Sequence, residues 1–139
     1  MNAANAQIGD WLGVQAPVSE AEILRIVERR LTTAVIKRLI SLGLERGEID
    51  AVIIPQRTLQ HRRSRREKLT VDESDRVLRA IRVLSLAEAI YNSRERAIAW
   101  LRKPNPRLDD RVPLSLLKTD TGSRMVEELL VQIDEGMFV

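Results

Sequence analysis

Residues 70–90, TVDESDRVLRAIRVLSLAEAI, carry the pattern on which the fold turns. Thr70 followed three residues later by Glu73 is a capping box: the threonine hydroxyl accepts an orphan N–H of the first helical turn while the glutamate reaches back. Val77, Leu78, Ile81, Leu84 and Ile90 then recur at helical spacing, which predicts the longest helix of the chain and its core stripe. Working toward the N-terminus, Ser19 and Glu22 form a second capping box ahead of an apolar stripe of Ile23, Ile26, Val27 and Leu31. Val35, Ile36, Leu39, Ile40 and Leu42 predict a helix that starts near Thr33 and stops at Gly43, a residue suited to a left-handed C-terminal position. Ile49 and Val52 share a face of a short helix over 46–52. Pro55 suits the first turn of another, running into a basic cluster. Toward the C-terminus, Ser93 caps a helix that Pro104 and Pro106 end. Pro113 starts a turn of helix at Leu114–Leu117, and a last helix begins near Thr121 and stops at Gly136. No persuasive strand alternation occurs, so the expected fold class is all-α.

Composition agrees. Of 139 residues, 44% are hydrophobic and only 3% aromatic, so Leu, Ile, Val and Ala must pack the core as they do in helix bundles. The absence of cysteine excludes a disulfide framework and thiolate metal sites. The first residues lack the basic and apolar segments of a signal peptide, and no apolar run approaches membrane-spanning length, so a cytoplasmic protein without membrane contact is expected.

Charge is divided unevenly. Residues 57–68 hold six cations (Arg57, Arg62, Arg63, Arg65, Arg66, Lys68) against Glu67, whereas residues 119–139 hold five acids against Arg124. Two surfaces of opposite sign point to two different partners. The segments 33–42, 46–52 and 55–66 have the lengths of a helix-turn-helix unit, whose last helix enters the major groove of DNA. In that reading Arg57, Thr58, Gln60 and His61 suit base edges, and Arg62, Arg63, Arg65 and Arg66 suit phosphates. A solvated basic helix end without ligand is the plainer alternative. Ile53-Ile54 stand where many such turns have glycine. His61, the lone histidine, has no acid or nucleophile placed beside it for catalysis.

From Arg57 onward the ordered pieces RTLQHRR, LTVDESDRVLRAIRVL and AIAWLRKPNPRLDDRVPLSLLKTDTGSRMVEELLVQIDEG resemble the MbcA/ParS/Xre antitoxin family. The chain departs from the family in the middle loop, where members commonly have glycine before the proline and this chain reads Asp109-Asp110-Arg111-Val112-Pro113. The resemblance implies a binding protein with no cofactor, metal or enzymatic activity of its own. Its implied partners are operator DNA and a RES-domain toxin that attacks NAD, the toxin site being covered by the last helix and tail. By that resemblance Trp100, Leu130, Ile133, Gly136, Met137, Phe138 and Val139 contact the toxin, the apolar tail acting as a plug. Trp100 and Leu101 are also expected to anchor their helix against the last one, and Gly122 to admit another backbone at close range. The expected organisation is an N-terminal arm and dimerisation helices at 1–46, a Cro/repressor-like DNA-binding region at 47–92 and a toxin-binding domain at 93–139, assembled as a homodimer or higher oligomer. A stand-alone dimeric regulator without a toxin partner is the alternative.

Overall fold

The chain is seen in a computed structural model that describes residues 3–15 and 18–137. Among these, eight α-helices follow one another: α1 (Ala3–Leu12), α2 (Glu20–Arg29), α3 (Ala34–Ser41), α4 (Arg46–Val52), α5 (Gln56–Ser64), α6 (Val71–Tyr91), α7 (Arg94–Arg102) and α8 (Asp120–Asp134). Two 3-10 segments, Pro106–Leu108 and Pro113–Lys118, lie between α7 and α8. The only pairing of extended backbone among the described residues is one antiparallel bridge, Asn105 to Arg111, so the fold is all-α. None of these helices is long and apolar enough to cross a membrane.

The predicted ends are made as the local chemistry requires. Thr70 Oγ1 accepts the Glu73 N–H at 3.1 Å, and Glu73 Oε1 accepts the Thr70 N–H at 2.8 Å. Ser19 Oγ accepts from Glu22 N without the return bond from Glu22 that a full capping box would add, and Ser93 Oγ accepts from Arg96 N. Gly43 ends α3 with a φ of +128°, and its follower Leu44 donates back to Leu39 O at 3.1 Å. That six-to-one bond closes a Schellman turn and satisfies a carbonyl the helix cannot reach. Asp109 and Asp110 occupy the middle loop at φ +55° and +61°. Aspartate tolerates the left-handed region better than most side chains, which suits it to this turn.

Helix α6 is the axle. Its Val77, Ile81, Val83, Leu84 and Ala87 are buried, and α1, α2, α7, α8 and the second 3-10 segment all pack on it. Ile90, expected in that core, is half-buried at its edge. Helix α7 packs on α6 and the second 3-10 segment. Leu101 is buried, whereas Trp100 is half-buried and leans on Tyr91 of α6 with ring centroids 6.3 Å apart, a contact to α6 where one to the last helix was expected.

Helix α1 was not foreseen. Its sequence signal is only Ile8, Trp11 and Leu12 on one face, with Gly13 closing the helix at φ +78° as Val14 N donates to Gly9 O at 2.9 Å. Trp11 is fully buried, donates its indole N–H to Glu88 Oε1 at 3.0 Å, and lies under the Arg94 guanidinium at 5.1 Å. Arg94 also pairs with Asp10, whose backbone carbonyl accepts from Arg38 of α3. Through these groups α1 ties α3, α6 and α7 into one body.

Candidate nucleic-acid and partner interfaces

The turn between α4 and α5 is built without glycine. Ile53 and Ile54 are both buried, neither has positive φ, and both donate to Ile49 O. The apolar side chains that replace glycine are thus used as core. Pro55 precedes α5 and offers no side-chain cap; Asp50 of α4 supplies it instead, accepting the Gln56 N–H at 2.7 Å.

Helix α5 turns Leu59 into the core and presents Arg57, Gln60, His61 and Ser64 to solvent. The first three were expected to face base edges; Thr58, expected with them, is half-buried. Arg63, Arg65 and Arg66 join this basic face. No hydrogen bond or ion pair within the described residues engages the guanidinium of Arg57, Arg63, Arg65 or Arg66. Arg66 is held at φ +56° in the position that closes the end of α5, where glycine would be less strained.

Arg62 departs from expectation. Its guanidinium forms a fork on Glu73, with Nε to Oε1 and a terminal nitrogen to Oε2 both at 3.1 Å, and reaches Glu67 at 3.4 Å. Burial alone would push the Glu73 carboxyl up; the Arg62 fork and the Thr70 N–H outweigh it and hold the group below the ordinary carboxylate range. Arg62 therefore fastens α5 to the start of α6 and is not free for phosphate.

Two cations were missed. Lys37 of α3 and Arg46 of α4 line one groove with Gln56, Gln60 and Arg63, over a floor of Ile36, Ile40, Ile49 and Leu59. Both lie in the segments assigned to the helix-turn-helix unit, but a search for runs of charge does not find isolated cations that only the fold brings together.

The second surface belongs to α8. Thr119 Oγ1 caps it through the Gly122 N–H at 3.0 Å, and the backbone of the second 3-10 segment passes directly over Gly122. Val126, Leu129 and Leu130 point inward. Leu130 is fully buried, so its side chain serves the core and not a surface; Ile133 is half-buried, and Met125, Glu128 and Val131 are exposed. Gly136 ends the helix at φ +73°, with Met137 N donating to Gln132 O at 3.1 Å, which directs the chain away from the helix axis and leaves Met137 59% exposed. Phe138 and Val139 lie outside the described residues.

Glu127 is a half-buried carboxylate on the cleft between α2, α6 and α8. Burial raises its pKa first; Asp120 and Glu20 raise it further, against Arg82 and Arg124. A folded-state pKa above the unfolded one means that stability is lost as pH rises past the ordinary carboxylate range. Glu127→Gln should therefore raise Tm at neutral pH, with the gain vanishing near pH 4, as thermal melts across that range would read.

The comparisons with known proteins follow the same division. The family model for the antitoxin Xre-like helix-turn-helix domain matches residues 22–82, and that for the antitoxin Xre/MbcA/ParS C-terminal toxin-binding domain matches residues 86–136. A protein named Antitoxin Xre from Pseudomonas putida is 44% identical over 96 residues, covering 66% of this chain and 60% of the relative. Another of that name from Yersinia enterocolitica is 36% identical over 86 residues, 61% of this chain and 58% of its own length. A third, from Photorhabdus laumondii, is 33% identical over 82 residues, 58% of this chain and 55% of its own. The matches thus span less than two thirds of each relative. With a helix-turn-helix domain and a C-terminal antitoxin domain matched in order along most of its length, the chain belongs to the MbcA/ParS/Xre antitoxin family.

Proposed function

We propose that this chain neutralises a RES-class toxin that consumes NAD, by laying α8 and the segment that follows it over the toxin's active site, and that it represses its own operon through α5. The observation that carries the first half is the end of α8. The turn at Gly136 sends Met137 outward as an exposed apolar side chain, at the edge of the region that matches a toxin-binding domain. Ile133, half-buried beside it, and Trp100 complete the proposed contact set with Phe138 and Val139; Leu130 supports α8 from within. The second half rests on the unpaired cations of α5 and its neighbours, which would displace counterions from DNA and make binding strongly salt-dependent. The helices before α3 are assigned to dimerisation, α3 to α6 to DNA and residues 93–139 to toxin, in a cytoplasmic homodimer or higher oligomer.

The test is removal of residues 137–139. Met137 makes no side-chain contact that the core needs, so the truncated chain should keep its helicity, its Tm and its DNA affinity. Co-expressed with the product of the adjacent reading frame, it should fail to preserve growth and cellular NAD where the full chain succeeds. A truncated chain that still protects would overturn the plug.

A further inference from the structure

One side chain of the C-terminal domain reaches into the helix-turn-helix unit and bonds two of its helix ends. Arg102, the last residue of α7, donates from Nε to Glu48 Oε2 at 2.8 Å and from one terminal nitrogen to Glu48 Oε1 at 2.7 Å and to the Gly43 carbonyl at 2.8 Å. Glu48 lies in the first turn of α4, where its carboxylate also closes the capping box by accepting the Glu45 N–H at 2.8 Å. Gly43 ends α3, and a Cβ there would meet Ile98 Cδ1 of α7 at 2.7 Å. One guanidinium thus fixes the end of α3 and the start of α4 together, with α7 pressed against the turn between them. The second 3-10 segment packs on α4 as well.

In a helix-turn-helix unit the first helix crosses the DNA backbone and thereby sets how the second enters the groove. Here Arg46, at the start of α4, borders the same cationic groove as Gln60 and Arg63 of α5. Glu48 stands two residues further on, so the fork that Arg102 makes on its carboxylate holds the first turn of α4 in place.

We propose that Arg102, although it lies in the toxin-binding domain, is a positioning residue for DNA binding: it holds the α3–α4 turn and the first turn of α4 where α5 can read a duplex. The proposal rests on α5 being the DNA-binding helix. It makes operator recognition a property of both domains.

The test uses the full chain and the duplex immediately upstream of its reading frame, with affinity followed by fluorescence anisotropy over a range of salt. Arg102→Ala should lose about tenfold in affinity with an unchanged salt slope, while melts show it fully folded at the assay temperature. Arg102→Lys, which keeps the charge without the fork, should fall between. The proposal is overturned if Arg102→Ala binds as the wild type does. It is equally overturned if the slope drops by about 0.9, the mark of a lost phosphate contact. If Arg102→Ala unfolds, a folded Arg102→Lys that binds as tightly as wild type reduces Arg102 to a stability residue. A wild-type chain that shows no salt-dependent binding removes the DNA reading itself, a failure distinct from these.

Discussion

Gly122→Ala is expected to destabilise the chain, although the same change in an ordinary helix interior would stabilise it by about 1 kcal/mol. A Cβ on Gly122 would collide with the Leu116 carbonyl oxygen and stand 2.9 Å from both the Leu116 carbonyl carbon and Thr119 Oγ1. The obstacle is backbone, in a 3-10 segment whose Pro113, Leu114, Leu116 and Leu117 are buried, so it cannot swing aside as a flexible side chain would. Overpacking of this kind costs about 1–3 kcal/mol and at times more. For Gly122→Val, with two further methyl groups at the same place, a Tm lower by roughly 10 °C is expected. Because that segment packs on α4 as well as α8, both α8 and the helix-turn-helix unit should loosen together. Thermal melts monitored by circular dichroism decide the matter; an alanine variant as stable as wild type would contradict the packing described.

Arg62→Ala and Arg57→Ala, alike on paper, should separate by stability. Removing Arg62 leaves the Glu73 carboxylate, only 6% exposed, without its main counter-charge and should lower Tm clearly. Removing Arg57, which is exposed and unpaired, should change stability by no more than about 0.5 kcal/mol. The sign with pH follows from Glu73. Its folded-state pKa lies below the unfolded value, so its contribution is present above the ordinary carboxylate range and fades as pH falls through the folded value. The Tm gap between the Arg62 variant and wild type should accordingly be widest near neutrality and narrow in acid. DNA affinity should show the reverse ranking once folded fractions are equal: Arg57→Ala weakens binding, and Arg62→Ala has little direct effect.

These two arginines show where sequence reading stops. The Thr70–Glu73 capping box is legible because its bonds close within three residues, and Gly43, Gly122 and Gly136 are legible because each is demanded by a local turn or a close approach. Arg62 and Arg63 are neighbours of one type, and only the fold decides that one meets Glu73, eleven residues away, while the other stays free. Leu130 and Ile133 likewise share a stripe in sequence, yet one lies wholly in the core and the other at its margin. Arg102 and Glu48 are 54 residues apart, and Trp11 and Glu88 are 77 apart. Contacts of that range leave no periodicity to read, and the positions of α1 and of the cationic groove around Lys37 and Arg46 depend on them.

What emerges is one body with two faces. Helix α6 carries α1, α2, α7 and α8 along its length, and Arg102, the second 3-10 segment and α1 fasten the helix-turn-helix unit to the C-terminal domain. The most direct test of this account is co-expression with the product of the adjacent reading frame, followed by purification through the chain and measurement of growth and cellular NAD. The account predicts a stable complex, preserved growth and NAD in its presence, and loss of all three when residues 137–139 are removed. Two proteins that purify apart, with growth and NAD indifferent to this chain, would contradict it.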